Sequence, residues 1–312
     1  MLLLLDSGWS ETMLRLVHFS DIHLFEPTAR WRARDMLTKR MTGYFNSKYL
    51  PRSKRFRKAE HVLNHLINDA YANSPDLVIF SGDATTLGVD EEFARAAQVM
   101  RVGVEQTPPA IAVPGNHDYY TTHSVKHGLF ERHFAPWQQG ERIDDEVYPF
   151  ARQVGSLFVV ALNSCQWNRW SWDSTGRVGL DQLLRLERLL TSEAAQGCTK
   201  VLVTHYPFSL ADGRPERRYR RLRDLSDVLK ISIELGVELW LHGHRHQAYV
   251  LPATVDRPIT ALCVGSGTMH DHWSYGEYLI EDSSWTIRMR TYQPDSDSFK
   301  ITSESVIALK PR

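Results

Sequence analysis

Apolar positions along this chain fall into two alternating regimes. Residues 14–20 (LRLVHFS), 76–81 (DLVIFS), 110–114 (AIAVP), 157–163 (LFVVALN), 200–204 (KVLVT) and 238–242 (ELWLH) are short runs rich in Leu, Val, Ile and Phe. Such runs predict buried strands. Helical patterns lie between several of them: residues 57–73, where Val62, Leu63, Leu66 and Ile67 are apolar, then 91–103, 180–195 and 221–235. That alternation predicts an α/β architecture. From Ala261 through Tyr278 and Ile280 to Trp285 and Tyr292, strand patterns succeed one another without helices, so an antiparallel segment is expected to close a second sheet. No internal repeat or Ser/Gly-rich linker divides the chain, and residues 13–312 read as one domain with a basic, apolar insertion at 26–58.

Composition narrows the classes. Of 312 residues, 42% are hydrophobic and 24% charged, enough to bury a large core and unlike a disordered tail. Lys plus Arg number 37 against 37 Asp plus Glu, so no whole-molecule field draws the protein onto nucleic acid, which is not an expected partner. Cys165, Cys198 and Cys263 form no CxxC pair, which argues against a disulfide framework and a thiolate zinc site and makes a reducing cytoplasm the expected location. Leu2 to Leu5 is too short for an export signal and is interrupted by Asp6. No uncharged apolar stretch reaches the roughly 18 residues a membrane-spanning helix requires. Met13, just before the first strand, reads as the better start, leaving residues 1–12 as an extension outside the core.

Chemistry enters at the strand ends. Asp21 and His23 come directly after the first strand, Gly82-Asp83 after the second and Gly115-Asn116-His117-Asp118 after the third; His205 comes after the Lys200 strand and Gly243-His244-Arg245-His246 after the Glu238 strand. Loops beyond the carboxyl ends of α/β strands share one rim, so these residues are expected to converge. Seven candidate ligands then meet: Asp21, His23, Asp83, Asn116, His205, His244 and His246. Oxygen and imidazole without thiolate suit Mn, Fe or Zn. His117, beside Asn116, is placed to stabilise a transition state or protonate a leaving oxygen, with Asp118 as the partner expected to orient its ring.

This order of motifs, DxH…GD…GNHD…H…GHxH, resembles the calcineurin-like metallophosphoesterase superfamily over about residues 14–280. The resemblance implies a four-layer α/β/β/α sandwich and a dinuclear metal site. Carried onto this chain, it has Asp21, His23, Asp83 and His246 hold one divalent ion. Asp83, Asn116, His205 and His244 hold the second, with Asp83 as the bridge. It further implies hydrolysis of a phosphodiester or pyrophosphate by a hydroxide shared between the two ions.

Substrate recognition is expected from two basic runs that leave the same rim. Residues 30–58 carry Arg30, Arg34, Arg40 and eight further basic residues, interleaved with aromatic and aliphatic ones; residues 214–223 carry Arg217, Arg220 and four more arginines. Each is either a solvated face or a surface for further phosphates or an anionic membrane. Trp167, Trp170 and Trp172 are either loop packing or an apolar wall for a nucleobase or acyl chain. A basic, apolar insertion after DxH is also similar to that of enzymes that split UDP-2,3-diacylglucosamine to lipid X and UMP, though the motif set departs from theirs in places. A lipid-linked or nucleotide-sugar phosphate is thus the expected substrate, with a cyclic-nucleotide phosphodiesterase or phosphomonoesterase as alternatives. The different-class alternative is a membrane-surface binding protein with a vestigial site. His18 reads as core, His61 and His65 as a solvated helix face whose i, i+4 spacing can also chelate a metal, His242 as a support to the site, and His270 and His272 as loop or cleft.

Overall fold

The computed structural model describes residues 13–27, 39–41, 43–44, 55–281 and 284–308. Most of the basic insertion, with Arg30 and Arg34, lies outside the described residues. The first half runs β1 (Leu14–Phe19), α1 (Ala59–Tyr71), β2 (Leu77–Phe80), α2 (Asp90–Val99), β3 (Ala110–Ala112), α3 (Thr122–Lys126) and α4 (Leu129–Phe134). The second runs β4 (Phe150–Val154), β5 (Leu157–Ala161), α5 (Leu180–Leu190), β6 (Thr199–Val203), α6 (Leu225–Glu234), β7 (Val237–His242), β8 (Ala248–Leu251) and β9 (Thr260–Val264), then β10 (Ser274–Glu281), β11 (Ser284–Gln293) and β12 (Ser298–Ala308).

Two six-stranded sheets result, ordered β12-β11-β10-β1-β2-β3 and β4-β5-β6-β7-β9-β8. The expected antiparallel carboxyl-terminal segment is present, but it does not close the second sheet. β10 pairs with β1 and extends the first, whereas the Ala261 strand, β9, lies parallel to β7. Packing explains the choice: Tyr278 and Ile280 of β10 and Trp285 and Ile287 of β11 enter the same core as Leu16 of β1.

Alternation along β1 separates the layers. Leu16 faces the core between the sheets, with Ile79, Ile111, Val201, Leu239 and Leu241. Val17 and Phe19 face the opposite way, under Val62, Leu63, Leu66 and Phe93 of α1 and α2. The outer face of the second sheet buries Trp240 against Leu183, Leu186 and Val228 of α5 and α6. The architecture is therefore α/β/β/α, held by side chains that each contribute about 1.5–3 kcal/mol on full burial. His18 is core, bonded to Tyr278 Oη at 3.0 Å and Ser81 Oγ at 2.8 Å. All three cysteines are free. Among the described residues no helix is long and apolar enough to cross a membrane. The helix expected from residue 221 starts at Leu225, because the Asp224 carboxylate accepts from Val178 N and Gly179 N at 2.8–3.1 Å and ties the preceding residues into a loop.

Candidate metal centre

Loops leaving β1 and β2, and those leaving β6 and β7, are stitched together in pairs by their main chains before any side chain is considered. Asp21 N donates to Gly82 O at 2.9 Å, Ile22 N and His23 N both donate to Asp83 O at 2.8 and 2.9 Å, and Gly243 N reaches His205 O at 3.2 Å. The approach is so close that a Cβ on Gly115 would sit 2.1 Å from Asp83 Oδ1, and one on Gly243 would sit 1.9 Å from Ser20 Oγ. Asp21, His23, Asp83, His244 and His246 all have φ between 50° and 69°. That left-handed region is costly for residues with a Cβ and collects at functional sites.

These bends bring all seven candidate ligands together in two groups. In the first, one donor atom each from Asp21, His23, Asp83 and His246 lies within 4.8 Å of the others. His23 Nε2 and His246 Nε2 are 3.0 Å apart, and His246 Nε2 is 3.0 Å from Asp21 Oδ1. In the second, Asn116 Oδ1 lies 3.2 Å from His205 Nε2 and 2.9 Å from His244 Nδ1, and the two imidazole nitrogens are 3.2 Å apart. Asp83 Oδ2 is 3.5 Å from both His23 Nε2 and His205 Nε2, touching each group.

The supporting bonds aim the donors inward. Asp21 Oδ2 accepts from His244 N at 2.9 Å, while the buried Oδ1 faces the imidazoles of His246 and His23 at 3.0 and 3.7 Å. Asp83 Oδ1 accepts from His117 N at 2.7 Å, leaving Oδ2 for the centre. His205 Nδ1 lies 2.8 Å from Ser81 O. A carbonyl can only accept, so Nδ1 holds a proton and Nε2 is the nitrogen turned to the site. Burial alone would raise the Asp21 carboxyl, but His246 and His23 hold it well below the usual carboxylate range. Burial lowers His205 and His244, the latter well below the ordinary imidazole range with help from His205 and Arg220. Ionised carboxylates and neutral imidazoles are the forms that take a divalent cation. The Asp21 oxygen and the crowded nitrogens turned into the cluster fit such an occupant. His242, behind the rim, is bonded to Tyr249 Oη at 3.2 Å, and burial takes it down to about 4.

The structure corrects the role expected of Asp118. It does not hold the His117 ring, whose Nδ1 lies 2.8 Å from Thr86 O instead. Asp118 is buried, and its two oxygens accept from Gly115 N, Asp83 N, Ala84 N, Thr85 N and Thr85 Oγ1 at 2.9–3.3 Å. It therefore clamps the Asp83 loop to the Asn116 loop. Asp118→Asn must turn an amide N–H toward backbone N–H donors, so it is expected to cost about 1–3 kcal/mol of stability and to weaken metal uptake. Denaturant unfolding and metal content check this; an unchanged midpoint with full metal would contradict the clamp.

A cavity of about 880 Å³ opens over the cluster, lined by Asp83, Asn116, His117, His244 and His246 together with Lys39, Arg55, Arg220 and Arg245 and the rings of Phe56, Tyr120 and Trp172. Of the expected substrate residues, Arg220 lies on this wall; Arg217 is exposed and off it, and Arg40 is buried and off it. Trp167 and Trp170 are also off the wall: the turn after Asn168 presents Trp172 instead, and Trp170 stacks behind it, 6.4 Å between centroids. His272 lines the cavity, while His270 pairs with Asp271. Two arginines of the second basic run are spent on acids, Arg214 on the neighbouring Asp212 and Arg223 on Asp173 of the Trp172 loop. Lys39 and Arg55 belong to the basic run expected to lean over the site, and both line the cavity. Sequence reasoning missed Phe56 and Tyr120, of which only Tyr120, just past GNHD, carried a signal.

The family described as calcineurin-like phosphoesterase matches residues 14–248. No curated protein matches the chain. Among solved structures, a dimetal phosphatase from Danio rerio aligns over 95% of this chain and 98% of its own at 12% identity and a TM-score of 0.64. The purple acid phosphatase PPD1 from yellow lupin seeds aligns over 96% of this chain and 54% of its own, at 14% identity and 0.60. GAP50, the anchor in the inner membrane complex of Plasmodium, aligns over 96% and 90%, at 11% and 0.54. At these identities the likeness is one of fold.

Proposed function

Since the chain belongs to the calcineurin-like phosphoesterase family and is a phosphoric ester hydrolase, we propose that it cleaves a phosphodiester or pyrophosphate bond at a dinuclear centre of Mn, Fe or Zn. The observation that carries this reading is the position of Asp83 Oδ2, 3.5 Å from one imidazole of each donor group, where a bridging carboxylate would sit. Asp21, His23, Asp83 and His246 would hold one ion and Asp83, Asn116, His205 and His244 the other. Bound there, the ions would neutralise phosphoryl charge and acidify the attacking water.

The chain's own residues supply the rest. His117, anchored through Nδ1 on Thr86 O and stacked on Tyr120 with centroids 5.3 Å apart and planes 7° from parallel, keeps Nε2 to hold or give a proton. Lys39 lies over the opposite partner of that stack, its Nζ 4.5 Å from the Tyr120 ring centroid. Lys39, Arg55 and Arg220 favour a substrate with anionic groups beyond the scissile phosphate, and Phe56, Tyr120 and Trp172 favour a planar or apolar moiety. Arg245 is held by Glu216 at 2.5 Å and serves as a wall. Nucleotide sugars and lipid-linked phosphates belong to this class.

Turnover of bis(p-nitrophenyl) phosphate with added Mn, set against p-nitrophenyl phosphate and UDP-diacylglucosamine, tests the reading. The diester should be cleaved and the large anionic substrate preferred; faster cleavage of the monoester would make the protein a phosphomonoesterase. Burial takes Lys39 down to about 8. Its ammonium charge is present below that pH and lost above it, so KM for the large anionic substrate is expected to rise as pH passes 8. Lys39→Met should show the high KM at every pH and flatten the profile. A rise that persists in Lys39→Met would assign it elsewhere.

A further inference from the structure

On the outer side of α1, His61 and His65 stand one helical turn apart with ring centroids 4.7 Å from each other. Asp297, in the turn between β11 and β12, reaches the same spot: its Oδ1 is 2.9 Å from His61 Nε2. One donor atom from each of the three lies within 4.8 Å of the other two. We propose that His61, His65 and Asp297 form a second, exchangeable site for a borderline dication such as Zn2+, which ties α1 to the β11–β12 turn.

Three features carry this beyond an ordinary solvated helix face. Two imidazoles at i and i+4 are the helical spacing that chelates a single ion, and a carboxylate from a distant element completes a facial set of three, leaving a further position for water. The turn that delivers Asp297 holds it at φ 46°, and Tyr292 Oη donates to the same Asp297 oxygen, so the carboxylate is aimed by the surrounding structure. Tyr292 Oη also lies 3.1 Å from His61 Nε2, which makes it the partner that orients both groups. Two nitrogens and one oxygen select Zn, Ni or Cu over Mg or Ca, which prefer oxygen alone. The side chains of His61 and Asp297 are 48% and 55% exposed, so the ion would exchange with solvent and little desolvation opposes its entry. On binding, the proton between His61 Nε2 and Asp297 passes to His61 Nδ1 or to solvent, and Nε2 donates its lone pair to the ion.

Equilibrium dialysis of the metal-stripped full-length chain against buffered Zn2+ tests the site, with zinc counted per chain. Wild type is expected to hold one equivalent more than His65→Ala and Asp297→Asn, while hydrolysis of bis(p-nitrophenyl) phosphate in Mn stays unchanged in both variants. Tyr292→Phe should keep that equivalent but weaken it by about 10- to 100-fold. Zn2+ should also raise the thermal midpoint of wild type more than that of His65→Ala. Equal stoichiometry and affinity in wild type and both variants would overturn the proposal. A wild-type total of a single equivalent that disappears in His65→Ala would uphold it and count against the dinuclear centre instead.

Discussion

Asp83→Asn is expected to abolish phosphoester hydrolysis and to leave the protein short of metal. The two carboxylate oxygens have separate tasks: Oδ1 accepts from His117 N at 2.7 Å, and Oδ2 faces one imidazole of each donor group. An asparagine has one acceptor and one donor for these two places. If its oxygen stays on His117 N, the amide nitrogen stands where both ions need an anion; if it flips, an N–H meets an N–H and the loop is pushed off Asn116. Either arrangement would remove a charge that, on the proposed reading, serves both ions, and the expected loss in kcat/KM is on the order of 10³-fold or more. Metal analysis separates this from a mere loss of fold, because cooperative unfolding should persist while metal content falls. Full occupancy of both ions in Asp83→Asn would remove Asp83 from the bridging place.

Legible in the sequence was whatever the strand ends controlled. Residues 14–20, 76–81, 110–114, 200–204 and 238–242 form buried strands and so appear as apolar runs, and within each sheet the polar residues just past the runs leave at one rim. That grouped Asp21, Asp83 and Asn116 on one rim and His205 and His244 on another; the packing of the two sheets face to face brings the two rims together. Partner choice between strands was not legible. β10 alternates as any antiparallel strand would, and only the fit of Tyr278 and Ile280 beside Leu16 decides that it extends the first sheet.

The cavity wall was legible only in part for a similar reason. A run of arginines announces charge but not the acids that absorb it: Asp212 neutralises Arg214 across a turn, and Asp173 neutralises Arg223 from a distant loop, which periodicity does not describe. Asp118 shows the other limit. Its place beside His117 suggested a carboxylate–imidazole pair, yet its side chain turns back onto four backbone N–H groups and the Thr85 hydroxyl. An unpaired buried N–H is costly, and five converging donors outweigh one ring nitrogen that a carbonyl can satisfy.

That exchange of roles sharpens what removal of His117 should do. The ring supplies no donor atom to either group, although its edge packs on His23 with centroids 4.8 Å apart, and the bond that ties residue 117 to Asp83 Oδ1 comes from the main-chain nitrogen, which survives any substitution except proline. His117→Ala and His117→Asn are therefore expected to retain both metals while turnover slows by about 10²–10⁴, the range for losing a positioned proton donor. Because Nδ1 is committed to Thr86 O, the proton at stake is on Nε2, and it is needed most when the leaving oxygen is basic. The deficit should then be largest for an alkyl ester and shrink for a p-nitrophenyl ester. A deficit that stayed the same across leaving groups would shift the role of His117 from proton donation to charge stabilisation of the phosphoryl group. Unimpaired turnover on the alkyl ester, or loss of metal from His117→Ala, would exclude both roles.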